Sequence, residues 1–302
     1  MLFLITGAVV AYFLFSPPSK TGVTPRKPEL SRVKPGMPGA SIPKVAIPEP
    51  PVVPSPPHKE QNDYPSKTTI PEPEKPDVGG GASVRLAIII DDMGGSLAEA
   101  RSLVAIKVPL TFAIIPGLRV DKDVAAYAVT NEIETMIHIP MQPKGWPARR
   151  LEANGLLVSM GGDELQERVS GFIKQFPGAV GANNHMGSEF TEHEEKITFV
   201  LQTLKKSNLF FVDSVTSPDS AGLRVAQQLG IRSARRKVFL DNEQERGYIL
   251  GQLNQAVRMA RKNGSAIAIC HPHPVTIATL AAALPGLADQ GVRLVPTSQL
   301  VK

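Results

Sequence analysis

The chain has 302 residues, with 33 Lys and Arg against 28 Asp and Glu, a formal net charge of +5. That surplus is small and diffuse, and with one Trp, four Tyr and no basic stripe interleaved with aromatics it argues against a nucleic-acid partner. A single cysteine, Cys270, excludes an internal disulfide framework and any multi-cysteine zinc site.

Residues 1–16 begin with an uncharged run, MLFLITGAVVAYFLF. A spanning helix takes about 20 apolar residues, with about 17 as a lower limit. The run is slightly short, yet it reads as an N-terminal membrane anchor or signal-like segment, because nothing adjacent offers a face for a buried helix. Ser16-Pro17-Pro18 supplies no small-x-small cleavage site, which favours an uncleaved anchor. Residues 17–82 read as a Pro-rich disordered tether, since 17 of the 28 prolines fall in this stretch. Such a segment favours polyproline II and buries too little to offset its chain entropy. Five Lys and Arg between Lys20 and Lys34 pull that flank toward the cytoplasm by the positive-inside tendency. The expected arrangement is nonetheless an inner-membrane anchor with the folded part in the cell envelope, periplasmic or extracellular.

Residues 83–302 alternate short apolar runs with amphipathic stretches. Strands are expected at 85–90, 111–115, 134–139, 179–183, 209–212, 237–240, 266–269 and 293–295, each nearly continuous in apolarity, as strands buried on both faces are. Capping boxes are expected at Asp163 with Gln166 and at Thr191 with Glu194. The longest helix is expected at 245–262, stopped by Asn263-Gly264. Alternating strand and helix implies right-handed crossovers and a parallel sheet. The fold class is α/β, a distorted or incomplete (β/α) barrel with about seven to eight mostly parallel strands.

Polar residues gather where these strands end: Asp91-Asp92, His138, Asn183-Asn184-His185, Asp213, Asp241 and Cys270-His271-Pro272-His273. In parallel barrels that rim is where reactive side chains converge. Adjacent carboxylates repel, so Asp91-Asp92 calls for a cation or donors nearby, one binding a metal while its neighbour acts as a base, or else capping the next helix. His138, His185 and His271 are candidate ligands, with His271 and His273 also candidates for acid chemistry, and an Asp with two neutral imidazoles suits a divalent metal such as zinc. Asp213 either orients a histidine or binds a hydroxylated substrate, or else serves a turn with Ser214, Thr216 and Ser217. Asp241 reads mainly as a cap for the long helix. Cys270, inside an apolar strand, reads as an inert hydrophobe. His58 and His193 read as solvated bystanders, and the basic run Arg232–Lys237 as partly a solvated face, with Arg235 or Arg236 available to an anionic substrate.

The segments LAIIIDDMG (86–94), PLTFAIIPG (109–117), ETMIHIPMQP (134–143), GANNHMGSEFT (181–191), FFVDSVTS (210–217) and AIAICHPHP (266–274) together resemble the divergent polysaccharide deacetylases, a branch of the NodB-type carbohydrate deacetylase superfamily. The resemblance covers nearly all of 86–302. It implies a distorted (β/α) barrel and metal-dependent removal of acetyl groups from a glycan or cell-wall polysaccharide. It further implies Asp92 as metal ligand, Asp91 as base and His271 as the acid that protonates the leaving group. The superfamily pairs two histidines four residues apart, whereas here His138 is followed by Gln142. His185 is the expected replacement, giving Asp92, His138 and His185 as the metal set. A non-catalytic glycan-binding or scaffold protein on the same barrel, and a metal-dependent hydrolase of another amide or ester bond, are the competing expectations.

Overall fold

The computed structural model describes residues 84–302. The expected anchor and tether, and His58 within the tether, lie outside the described residues. Among the described residues no helix is long and apolar enough to cross a membrane.

Nine strands and seven α-helices alternate along the described chain: β1 Val84–Met93, α1 Leu97–Val104, β2 Thr111–Ile114, α2 Asp121–Thr130, β3 Glu134–Met141, α3 Gly162–Gln175, β4 Gly181–Met186, α4 Glu194–Lys206, β5 Phe210–Asp213, α5 Gly222–Gln228, β6 Ser233–Arg235, β7 Val238–Phe239, α6 Arg246–Asn263, β8 Ser265–Cys270, α7 Pro274–Ala283 and β9 Val292–Leu294. The sheet order is β6-β5-β4-β3-β2-β1-β8-β7, and the pairings are parallel. The sheet curls into an incomplete (β/α) barrel, as the alternation predicts. Central β1 pairs with β8 along Arg85–Ile90. Its other edge is shared: β9 takes Val84–Leu86 and β2 takes Ile89–Met93. At the open end the C-terminal Lys302 exchanges backbone hydrogen bonds with Ser233 of β6, covering that edge.

Successive residues of a strand face opposite sides. On β1, Leu86, Ile88 and Ile90 join the large apolar layer beneath the helices. Ala87 and Ile89 instead face the barrel interior, with Ala113, Met136, Phe210, Val212, Ile267 and Ile269. Burial on both faces explains why the strands read as unbroken apolar runs.

The expected elements need four corrections. β6 was not foreseen, because its Ser-Ala-Arg sequence lies within the basic run. The 237–240 strand shrinks to Val238–Phe239. Neither capping box forms: Gly161 is the residue at the start of α3, with Asp163 inside the first turn. Thr191 is buried, its hydroxyl donates to the Gly187 carbonyl, and α4 starts three residues later behind His193. The acidic residues near both helix starts still favour the dipole. The expected cap for α1 is instead Ser96, which accepts from the Glu99 N–H, leaving Asp91 and Asp92 free of that duty.

Two glycines separate packing from propensity. A Cβ at Gly181, which opens β4, would meet the buried Phe210 ring at 2.3 Å, whereas one at Gly171 in α3 meets nothing within 4 Å. Gly181→Ala is expected to destabilise the fold by about 1–3 kcal/mol, and Gly171→Ala to stabilise it by about 0.5–1 kcal/mol. Urea unfolding of the two variants against wild type checks both signs.

Candidate functional site

The alternation that builds the interior also builds the site. Asp91 shares the inward face of Ala87 and Ile89, His138 that of Met136, and His271 that of Ile267 and Ile269. Asn183 and His185 share the face of Gly181, which lies against the Phe210 ring. Asp241 continues the face of Phe239, whose ring stacks on His271 with centroids 6.0 Å apart. Asp92 is the exception, because alternation alone would turn it away from Asp91. The β1–β2 register shifts between Ile90 and Met93, a bulge, and Asp92 adopts φ 57°. Bulges re-aim side chains, and aspartate is among the few residues that tolerate the left-handed region. Two consecutive carboxylates thereby reach one rim.

There Asp92 Oδ1 lies 2.8 Å from His185 Nδ1 and 3.2 Å from His138 Nε2, and those two nitrogens are 3.2 Å apart. The Asp92 side chain is 36% exposed, yet Oδ1 is buried and has no aligned hydrogen-bond donor. Three ligand atoms, one carboxylate oxygen and two imidazole nitrogens, thus face one another, a donor set that could hold a divalent cation. Behind them Asn183 bridges two members of the site. Its Nδ2 donates to Asp91 Oδ1 at 2.8 Å, and its Oδ1 accepts from His138 Nδ1 at 2.7 Å. That bond leaves His138 Nε2 as the nitrogen free for a ligand role.

Burial pushes the Asp91 carboxyl above its ordinary range, with His138 and His271 offsetting part of the rise. Burial would raise Asp92 too, but the His138 and His185 imidazoles overcome it and hold Asp92 well below the carboxylate range. Burial alone would discharge His138, and Asp91 and Asp92 reverse that and raise it.

A second cluster flanks the first. Asp241 Oδ2 accepts from the His271 backbone N–H at 2.7 Å and from Thr276 Oγ1 at 3.0 Å, while Oδ1 faces His271 Nδ1 at 3.1 Å. Asp241, His271 and His273 also bring three ligand atoms together. Both Asp241 oxygens are already satisfied, however, so this carboxylate acts to aim His271 rather than to await a cation. Burial would lower the His271 pKa, but the Asp241 hydrogen bond, with Asp92 and Asp91, pushes it up to about 9. The same burial lowers His273, whose ring lies 5.8 Å from that of His271.

Asp91, Asp92, His138, His185, His271 and His273 therefore come together. Asp213 does not join them: it sits on the helix-facing side of β5 with Phe211. Its carboxylate accepts from the Val215 and Leu223 N–H groups and the Ser220 hydroxyl, the turn role. Cys270 likewise faces the helices, and burial raises its thiol well above the ordinary value, as an inert cysteine requires. His193 is exposed beside Glu189. Arg236 donates to the Ser214 and Val215 carbonyls and lies over the Phe239 ring. Gln142 is no ligand, because its Oε1 accepts from the Val158 N–H at 2.9 Å. The sequence does not show the roles of Asn183 and Asp241; Asp241 is no cap for the long helix, because α6 starts behind Glu245. A third addition, Glu152, reaches the site from the loop after β3, with Oε2 3.6 Å from His185 Nε2.

In the metal-free protein His271 is expected to titrate at about 9, and Asp241→Asn to bring it down toward 6.5. Because the folded value is raised, the stability this histidine contributes is fully present below about pH 6.5 and is lost as pH rises through about 9. Imidazole C–H chemical shifts followed against pH check this. A wild-type His271 titrating near 6.5 would contradict the Asp241 role.

Residues 88–301 match the family model for divergent polysaccharide deacetylases. Over 196 residues the chain is 38% identical to the uncharacterized protein YibQ of Escherichia coli K12, covering 65% of this chain but only 61% of that relative's length. It is 37% identical over 208 residues to an uncharacterized protein of Haemophilus influenzae, covering 69% of this chain and 74% of that one. An uncharacterized protein of Agrobacterium tumefaciens C58 shares the fold, with a TM-score of 0.70 at 23% identity over 74% of this chain and 91% of the other. With a match running from β1 to the last residues, the chain belongs to the divergent polysaccharide deacetylase family.

Proposed function

We propose that the chain is a metal-dependent hydrolase of the cell envelope that removes acetyl groups from a glycan, with Asp92, His138 and His185 holding a divalent cation. The observation that carries this reading is the buried Asp92 Oδ1, which has no aligned hydrogen-bond donor yet lies within 2.8 and 3.2 Å of two imidazole nitrogens. Two nitrogens and one carboxylate oxygen, without thiolate, suit zinc. When bound, such a cation would polarise the acetyl carbonyl and bring the pKa of water toward 7.

The remaining work falls to side chains. Asp91, held through Oδ1 by Asn183 and raised by burial, is the general base that takes a proton from the attacking water. His271 is the general acid. Asp241 holds Nδ1, so Nε2, 4.0 Å from Asp92 Oδ2, faces the centre and donates to the departing amine or alkoxide. His273, whose proton affinity burial lowers, stands beside His271 at the same rim, with ring centroids 5.8 Å apart. Glycan binding without turnover has one observation on its side, the commitment of Gln142 to the Val158 N–H where the superfamily keeps a second histidine. The uncharged run at the N-terminus supports attachment to the inner membrane through residues 1–16, with the barrel periplasmic or extracellular.

Purified protein is expected to contain zinc and to release acetate from acetylated glycan fragments, with release abolished by a chelator. Asp91→Asn and His271→Ala are each expected to lower kcat by about 10²–10⁴ while metal content is kept. Chelator-insensitive glycan binding without acetate would establish the non-catalytic reading instead. A topology reporter fused after Lys302 is expected to be active only outside the cytoplasm, and cytoplasmic activity would overturn the envelope assignment.

A further inference from the structure

The site leaves one buried carboxylate oxygen besides Asp92 Oδ1 without a hydrogen-bond donor, and it belongs to Glu152. Leaving such a group unpaired is costly, so a donor is expected within reach. The group it faces is His185 Nε2 at 3.6 Å, the nitrogen on the far side of the ring from Asp92. That separation is longer than a hydrogen bond, and a shift of a few tenths of an ångström closes it.

The loop carrying Glu152 is tied down on three sides. Gln142 donates its backbone N–H to the Leu156 carbonyl at 2.9 Å and accepts the Val158 N–H on its side-chain oxygen at 2.9 Å. Leu156 in turn donates to the Pro140 carbonyl at 2.8 Å, so this stretch is stitched to the end of β3. Asn154 Nδ2 donates to the Pro116 carbonyl beyond β2, and Arg168 of α3 to the Gly155 carbonyl. The carboxylate is therefore built into position rather than swung in from solvent. His138 already has the matching arrangement, its outer nitrogen held by Asn183.

We propose that Glu152 is a positioning residue for His185, accepting the Nε2 proton and so fixing the ring with Nδ1 turned to the cation. The proposal rests on the metal-site reading above. It also assigns Gln142 a use: the residue standing where the superfamily has its second histidine anchors the loop that steadies the replacement histidine.

The test uses the full chain as wild type, Glu152→Met, which keeps length but removes the acceptor, Glu152→Ala, and Glu152→Gln, whose amide oxygen still accepts. In the metal-free protein, ¹H–¹⁵N NMR should detect the His185 Nε2 proton protected from solvent exchange in wild type and Glu152→Gln, and lost in Glu152→Met. Zinc affinity by chelator competition should fall about 10- to 100-fold in Glu152→Ala and Glu152→Met, the usual cost of losing such a partner, and by much less in Glu152→Gln. Thermal unfolding identifies any variant that fails to fold, and the near-isosteric Glu152→Met then carries the test. An unprotected proton in wild type, or protection or zinc affinity unchanged in Glu152→Met, overturns the proposal. A wild type that binds no zinc defeats the metal reading instead, and the exchange measurement still decides whether Glu152 holds His185.

Discussion

Two neighbouring carboxylates stand at the end of the buried central strand β1, and the rim around them answers the problem of keeping them there. Asp91 is 2% exposed, and Asp92 adds a second negative charge beside it at a bulge. Like charges this close raise each other's proton affinity unless cations or donors intervene. The compensation arrives from β3, β4 and β8, through His138, His185 and His271. β4 is three strands from β1 in the sheet, about 14 Å away if the sheet were flat at about 4.8 Å per strand. Yet His185 Nδ1 lies 2.8 Å from Asp92. Only the curl of the barrel closes that gap, so fold and site are one construction.

The ordering of proton affinities follows from the same crowding. Asp92, against two imidazoles, is held ionised, while Asp91, deeper and held by a neutral amide, is pushed upward. His271, turned by Asp241 toward the same centre, is raised above its ordinary value. Neighbouring groups with proton affinities pushed apart are the usual basis for dividing acid and base roles. In the proposed reaction that division assigns the ligand, the base and the acid.

Much of this was legible in the sequence, for a reason particular to parallel barrels. Each buried strand reads as an apolar run, and the polar residues toward its C-terminal end mark the rim, so Asp91, His138, His185 and His271 stand out. Counting alternate residues back from the strand end separates inward His271 from outward Cys270, and outward Asp213 from inward Val212. Other features carried no local signal. Asp92 reaches the rim through a bulge and a positive φ, which a sequence does not display. Asp241 precedes a helix closely enough to resemble a cap, while its real partners, His271 and Thr276, lie 30 and 35 residues on. Glu152 sits on an irregular loop whose path depends on Gln142, and β6 is three residues long at the sheet's edge within a basic run. The two expected capping boxes had the right residue types, but the helices start from backbone that places those side chains elsewhere.

The central claim is that Asp92, His138 and His185 together hold a cation despite the loss of the paired histidine at position 142. X-ray absorption of the zinc-loaded protein tests it directly, because imidazole and carboxylate ligands differ in their outer-shell scattering. Two imidazoles and a carboxylate are expected in wild type, with nitrogen and oxygen ligands at about 2.0–2.2 Å, and one imidazole fewer in His185→Ala. A zinc shell that keeps the same two imidazoles in His185→Ala would contradict the claim.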